Sequence, residues 1–370
     1  MKKILILPFL QIPTGHHQVA EAIRSYLKEL DESVEVKKVD IFHFTFPLAE
    51  KAASRLYLKA LKMMPSFYRW LYRQNACRTV NYKDDKSYFL YESLFLKSMK
   101  KLINQEKPDI IVCTHCLPSY LLNVLKKREQ ISISVINIYT DYFINTVWGT
   151  SHIDLHFVPS HTMKNFLKHC NVNSEKIIVT GIPVHPQITK KKEETYKQSP
   201  SPFHVLVSGG NLGVGSIEKI FRNNKYSGQI KYFVLCGKNQ NLFQRIDQLK
   251  SPYLVPISYI SSREEMNNLY EKMDVMLTKP GGITVSECLN KKIPLCLLNA
   301  LPGPEERNEQ YLLEEKLAIK INPDNLEQSL LSFLKNQTER QNLQRRLSLH
   351  TDRYENIYIN LKKIMEKKPI

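Results

Sequence analysis

Two groups of residues in this 370-residue chain have types and spacing suited to chemistry. The first is Thr278-Lys279-Pro280-Gly281-Gly282-Ile283-Thr284-Val285-Ser286-Glu287, which follows a short apolar run and opens a helical stretch. Adjacent glycines let a backbone approach a ligand without side-chain obstruction. A helix starting near Ile283 or Thr284 offers free N–H groups and a positive dipole end, both suited to a diphosphate. Glu287, one turn on, has a carboxylate able to accept two hydrogen bonds from ribose hydroxyls. Two more glycine-bearing loops follow apolar runs, Ser208-Gly209-Gly210-Asn211-Leu212-Gly213-Val214-Gly215 and Cys236-Gly237-Lys238-Asn239. Each alone reads as a strand-to-helix turn; three in one half of the chain point to a nucleotide site. The loop 208–215 contains G-x-x-G-x-G, not the dinucleotide order, so hydride transfer is a weak reading. The sequence has no D-x-D pair for a divalent metal. That suits a metal-free site in which helix ends and backbone amides neutralise a leaving diphosphate.

The second group lies near the N-terminus, in Gln11-Ile12-Pro13-Thr14-Gly15-His16-His17-Gln18-Val19-Ala20. Gly15 permits a tight turn, and His16 begins the first helix. Imidazole titrates where a base for a hydroxyl is needed, and the positive helix end favours its neutral form. From position alone a helix cap fits His16 better than a base. His17, the competitor, points about 100° away around the helix. Asp141, in Tyr139-Thr140-Asp141-Tyr142, fits equally as a group orienting the base, a contact for a polar head group, or a cap. Trp148 follows Phe143 and Val147 and reads either as lining for an acceptor pocket or as core.

Such residues need a scaffold, and the pattern supplies one. Short apolar runs predict strands at 3–8, 34–39, 109–114, 134–139, 155–158 and 176–180, with helical stretches between most of them. Residues 188–202 are polar, charged and Pro/Ser-rich, and read as a linker. The alternation restarts with strands at 203–207, 231–236, 253–257, 274–277 and 294–298, then turns helical from about 326. This is an α/β chain with two doubly wound, largely parallel-sheet domains. Ligands in such sheets bind outside the carboxyl ends of the strands, and two facing domains make a cleft. The length suits two domains.

Lys and Arg number 53 against 36 Asp and Glu, a net charge of +17, which favours an anionic partner without naming it. Residues 51–78 concentrate that charge, with seven Lys/Arg and no acidic residue. Leu56, Ala60, Met63, Phe67 and Trp70 recur at helical spacing beside Arg55, Lys59, Lys62, Arg69 and Arg73, and Pro65 divides the segment. This is the composition of helices lying in a bilayer interface over anionic head groups; an ordinary core helix with a solvated face is the plainer reading. Nucleic acid is not expected as a partner, since nothing else in the chain supports it. No apolar run approaches the roughly 20 residues that span a bilayer, and the N-terminus does not read as a secretory signal. The expected location is cytoplasmic, peripherally attached to the inner face of the cell membrane. Seven cysteines, most in apolar strand-like runs (Cys113, Cys236, Cys288, Cys296), read as buried thiols. The lone C-x-x-C at Cys113 to Cys116 reads as a strand end rather than a zinc site.

Together these residues resemble the monogalactosyldiacylglycerol synthase and processive diacylglycerol β-glucosyltransferase family, over nearly the whole chain. Gly15-His16-His17-Gln18-Val19-Ala20 is similar to the family's G-H-x-x-x-A element, Thr140-Asp141-Tyr142 with Trp148 to its T-D-[FL]…W stretch, and Gly181-Ile182-Pro183-Val184 to its G-I-P-[IV]. Cys236-Gly237-Lys238-Asn239, Glu287 and, most specifically, Lys279-Pro280-Gly281-Gly282-Ile283-Thr284 resemble the nucleotide-binding half. Pro302-Gly303-Pro304-Glu305-Glu306-Arg307-Asn308 resembles P-G-Q-E-x-x-N, the element that holds the donor sugar, with Pro304 in place of the glutamine and Glu305 and Asn308 kept. Ile12-Pro13-Thr14 stands where relatives carry further glycines or asparagine.

The resemblance implies a GT-B fold: two Rossmann-like domains facing each other across a cleft. The acceptor domain is expected over 1–187, the linker over 188–202, the UDP-sugar domain over 203–345, and a helix over 346–370 crossing back to the first domain. It implies an inverting transfer of a hexose, glucose before galactose, from a UDP-sugar co-substrate to diacylglycerol or a glycosyldiacylglycerol, with His16 as base and no cofactor. A UDP-N-acetylglucosamine transferase or epimerase, and a non-catalytic binder of lipid or nucleotide sugar, are the alternatives.

Overall fold

The computed structural model describes residues 2–10, 15–49, 87–189, 202–209, 226–301 and 303–366. The chain divides into two compact units, residues 1–185 with 354–370, and residues 186–353.

In the first unit, strands β1 (Lys3–Leu7), β2 (Glu35–Lys38), β3 (Ile110–Cys113), β4 (Ser134–Ile138), β5 (Leu155–Val158) and β6 (Ile177–Val179) form one sheet. Its order is β2-β1-β3-β4-β5-β6, and every pairing is parallel. The described helices before residue 186 are α1 (Gly15–Leu30), α2 (Ile41–Thr45), α3 (Phe89–Glu106), α4 (Cys116–Lys127) and α5 (His161–His169). Central strands covered on both faces need apolar residues at every position. Leu5, Leu7, Ile111, Cys113 and Val135 accordingly lie in one buried cluster with Phe95, Met99 and Leu121 from the helices.

The second unit has β7 (Phe203–Ser208), β8 (Ile230–Gly237), β9 (Leu254–Ser258), β10 (Val275–Thr278), β11 (Leu295–Leu297) and β12 (Ile319–Lys320). Their order is β12-β11-β10-β7-β8-β9, again all parallel. Its helices are α6 (Gln240–Gln248), α7 (Arg263–Glu271), α8 (Gly282–Lys291), α9 (Pro304–Glu314), α10 (Leu326–Lys335) and α11 (Gln337–Thr351). Counted along the chain this order is 3-2-1-4-5-6, that of dinucleotide-binding folds, whereas the first unit begins 2-1-3-4-5 as flavodoxin-like sheets do. In each sheet the winding direction reverses once, between β1 and β3 and between β7 and β10. Those reversals open crevices at the carboxyl ends of the strands.

All eleven strands expected from the pattern are present, within a residue or two at each end. Cys288 departs from the expectation: it lies on α8, buried there, not on a strand. The strand β12 has two residues, too few for any pattern to mark.

The last helix, α12 (Ile357–Glu366), belongs to the first unit and packs on α1. Leu361 is buried there, a contribution of about 2 kcal/mol. The Lys2 ammonium donates to the Met365 carbonyl, and the Glu355 N–H donates to the Val179 carbonyl at 2.7 Å. Gly181 makes this return possible. Its φ is +72°, and a Cβ there would lie 2.5 Å from a ring carbon of Tyr354. Gly181→Ala should therefore cost about 2–4 kcal/mol, from left-handed strain plus overpacking. In a Tyr354→Ala background only the strain remains and the cost should fall to about 1 kcal/mol. Urea unfolding of the four proteins measures this; equal penalties in both backgrounds would refute the packing role.

Candidate functional site

The crevice of the first unit is built by the segments that leave β1, β3 and β4. His16 is the second residue of α1, where the chain has just left β1. Its Nδ1 lies 2.8 Å from the Thr114 carbonyl oxygen, just past β3, and 2.9 Å from Thr140 Oγ1, just past β4. A carbonyl oxygen only accepts, so His16 Nδ1 carries the hydrogen and Nε2 keeps its lone pair. Burial lowers the pKa of this imidazole, against the raising influence of the Asp141 carboxylate and the Thr114 carbonyl. The group is thus a neutral base with its tautomer set by the backbone. His17 is turned elsewhere: its Nε2 meets the Leu10 carbonyl oxygen at 2.5 Å. That leaves His16 as the histidine joined to both neighbouring strand ends.

His115 was not singled out by the sequence, yet its ring meets His16 edge-on with centroids 4.6 Å apart. In the sequence Thr140 stands out only as a neighbour of Asp141. The one available signal for both was position, directly behind a strand next to the reversal point. Trp148 is 8% exposed and packs on Tyr139 with centroids 4.5 Å apart. Its contacts are those of the core cluster, so of its two readings packing is the one its surroundings display.

The second unit gathers its glycines in the same way. Gly209 follows β7, Gly237 ends β8 with φ +56°, and Gly281-Gly282 follow β10. Gly281 is the N-cap of α8 and has no side chain to satisfy the first helical N–H groups. The amides of Gly282, Ile283 and Thr284 fall where a helix provides no internal acceptor. A Cβ on Gly281 would meet no atom within 4 Å, and its φ of −77° suits any residue. Neither packing nor backbone conformation within the protein therefore demands glycine there.

Around this helix end the expected donor residues have partners of their own. Asn308 is buried on α9 and its Nδ2 donates to the Pro280 carbonyl at 3.0 Å, tying that helix to the glycine turn. Lys279 is buried, and burial lowers its pKa against the opposing charge of Glu305. Glu305 Oε2 accepts from the Leu301 N–H at 2.7 Å. Glu287 is buried; its Oε2 accepts from the Tyr270 hydroxyl at 2.7 Å, and its Oε1 is 3.8 Å from an Arg263 guanidinium nitrogen. Burial raises the pKa of this carboxyl, with Tyr270 and Arg263 opposing. Asn239 Oδ1 caps α6 by accepting from the Leu242 N–H at 3.0 Å. Pro304 takes the first position of α9, where a missing N–H costs nothing and a fixed φ starts the helix. Gly210, Lys59, Lys62, Phe67, Arg69 and Trp70 lie outside the described residues.

Comparison with known proteins gives the family and the fold. The profile of the monogalactosyldiacylglycerol (MGDG) synthase family matches residues 16–184. An uncharacterized glycosyltransferase, YkoN of Bacillus subtilis (strain 168), is 43% identical over 317 residues, covering 86% of this chain and 83% of that protein. The chain belongs to this glycosyltransferase family. A processive diacylglycerol β-glucosyltransferase of Bacillus cereus (strain G9842) is 28% identical over 331 residues, covering 87% and 82%. Among solved structures, MurG of Acinetobacter baumannii superposes with a TM-score of 0.61 at 14% identity, with full coverage of both chains. The S. aureus MnaA–UDP structure gives 0.59 at 15% identity, covering 99% and 95%. At that identity these two speak for the fold, which is GT-B.

Within this glycosyltransferase, the state of His16 is directly measurable. Its imidazole should titrate below pH 6.5, so the neutral form persists as pH falls through that value. Asp141→Asn removes a raising influence and should move the midpoint lower still. Proton NMR of the ring in both proteins checks this; an unmoved midpoint in the variant would separate Asp141 from the base.

Proposed function

We propose that this chain is an inverting hexosyltransferase that moves glucose, or secondarily galactose, from a UDP-sugar to a hydroxyl of diacylglycerol or a glycosyldiacylglycerol. The observation that carries the reading is the fixed tautomer of His16, a neutral imidazole whose Nε2 lone pair is kept for a proton. In this reaction His16 Nε2 takes the acceptor hydroxyl's proton as its oxygen attacks the anomeric carbon. The bond from that carbon to the diphosphate breaks, and UDP departs with the electron pair. Asp141 stabilises the imidazolium that forms.

The uncapped start of α8 suits the departing diphosphate, since Gly282, Ile283 and Thr284 offer amides and Gly281 leaves room before them. Lys279, Gly209, Gly210, Gly237 and Asn239 are assigned to the same donor, Glu287 to its ribose, and Glu305 and Asn308 to its sugar. The diphosphate is assigned to these groups and not to a metal ion, and no cofactor is required. The lipid acceptor is supported by the relative named as a processive diacylglycerol β-glucosyltransferase and by apolar side chains left in solvent. Leu48 is 97% exposed, and Phe89 and Leu90 at the start of α3 are 75% and 76% exposed. They flank, in sequence, the basic stretch 51–78 with its Lys59, Lys62, Phe67, Arg69 and Trp70. Such a composition favours reversible attachment to an anionic leaflet, at about 1 kcal/mol per cation. Among the described residues no helix is long and apolar enough to cross a membrane.

The test is product mass after incubating the chain with UDP-glucose, UDP-galactose or UDP-N-acetylglucosamine, with and without diacylglycerol vesicles. A hexosyl-diacylglycerol is the expected product; turnover of the acetamido sugar without lipid would favour an epimerase. His16→Ala should lower kcat by about 10²–10⁴-fold with UDP affinity unchanged, and retained turnover would remove it as the base. Gly281→Ala should leave thermal stability nearly unaltered, because its Cβ enters open space, while weakening UDP binding. Undiminished UDP affinity in that variant would take the diphosphate away from α8.

A further inference from the structure

His115 has no part in the reaction above, although it shares the crevice with the proposed base. It caps α4, its Nδ1 accepting from the Leu117 N–H at 3.1 Å. The Cys116 thiol makes a longer contact to the same nitrogen, at 3.9 Å. For capping alone, Ser, Asp or Asn does better with a smaller side chain. What an imidazole adds is its second nitrogen. A ring nitrogen that receives a donor carries no hydrogen, so in neutral His115 the hydrogen is on Nε2. Burial, with His16 and His17 adding to it, holds the ring neutral. Stacking on Phe9, with centroids 4.9 Å apart and planes 21° apart, fixes its orientation.

Among the described residues no group hydrogen-bonds His115 Nε2, and the residue is only partly buried. His16 shows the opposite polarity, with its hydrogen donated from Nδ1 and a lone pair left on Nε2. Two rings with centroids 4.6 Å apart thus carry one accepting and one donating nitrogen beyond those their own neighbours use, in one crevice.

We propose that His115 binds the acceptor: its Nε2–H donates to an oxygen adjacent to the hydroxyl that His16 deprotonates. The acceptor class this pair selects is an alcohol with a second oxygen on the neighbouring carbon, whether an ester oxygen of an acylglycerol or a vicinal hydroxyl of a sugar. The assignment rests on His16 being the base. It adds a fixed donor that holds the nucleophile's neighbour and leaves the reacting oxygen to His16.

His115→Asn isolates the role, because asparagine keeps a capping oxygen and removes the far ring nitrogen. With diacylglycerol as acceptor, its KM should rise about 3- to 10-fold, the worth of one hydrogen bond. UDP affinity and the acid limb of the pH profile should match the wild type, while thermal stability falls through loss of the ring that stacks on Phe9. His115→Ser should behave alike. With a long-chain primary alcohol, which lacks the adjacent oxygen, wild type and His115→Asn should have equal kcat/KM. An unchanged KM for diacylglycerol in the folded variants, or an equal loss with both acceptors, would reduce His115 to a cap. If the wild type transfers sugar to no acceptor, the transferase reading falls and this role with it; normal wild-type transfer with unaltered variants overturns the His115 role alone.

Discussion

The hydrogen bond from His16 to the Thr114 carbonyl is the constraint on which the candidate chemistry depends. It joins the first turn of α1 to the residue after β3, and sheet register makes the meeting unavoidable. Leu7 pairs with Cys113 at the ends of adjacent parallel strands, and the Thr114 N–H reaches back to the Leu7 carbonyl at 3.3 Å. As a neutral bond it contributes only about 1 kcal/mol to stability. Its larger effect is selective, since it decides which imidazole nitrogen can accept a proton. Any change that shifted β1 against β3 by one residue would undo that selection without touching the histidine.

Both units follow one rule of construction. Each has an all-parallel sheet whose winding reverses once, and each has its notable residues on the segments leaving the strands beside that reversal. Side chains of high specificity, histidine and aspartate, occupy the first. Backbone amides and glycines occupy the second, where Gly281 leaves open space before the first turn of α8. A base must be held by its surroundings to a single tautomer, whereas a diphosphate needs several donors and no intruding Cβ. On the proposed reading, the same architecture serves opposite needs by a choice of residue size.

The fold was legible because buried parallel strands leave continuous apolar runs, and eleven of them stood out. β12 did not, since Ile319 and Lys320 pair only because Cys296 and Leu297 present an edge to them. Cys288 was misplaced because an apolar helix turn and an apolar strand look alike over four residues. His16 and the glycine turn were legible from residue type beside a strand end. His115 and Thr140 were not, because their relation to His16 spans about a hundred residues or more of chain and exists only through strand adjacency. The tie between Gly181 and Tyr354 was hidden for the same reason.

The chain leaves its first unit after residue 185 and re-enters it at 354, so the second unit is an insertion within the first. During synthesis the α1 surface that α12 covers stays bare until residues 357–366 emerge. The inserted body is continuous and can condense beforehand. Maturation of the N-terminal half is thereby scheduled by residues far downstream, and a nonsense codon near residue 354 would injure the part of the protein translated first.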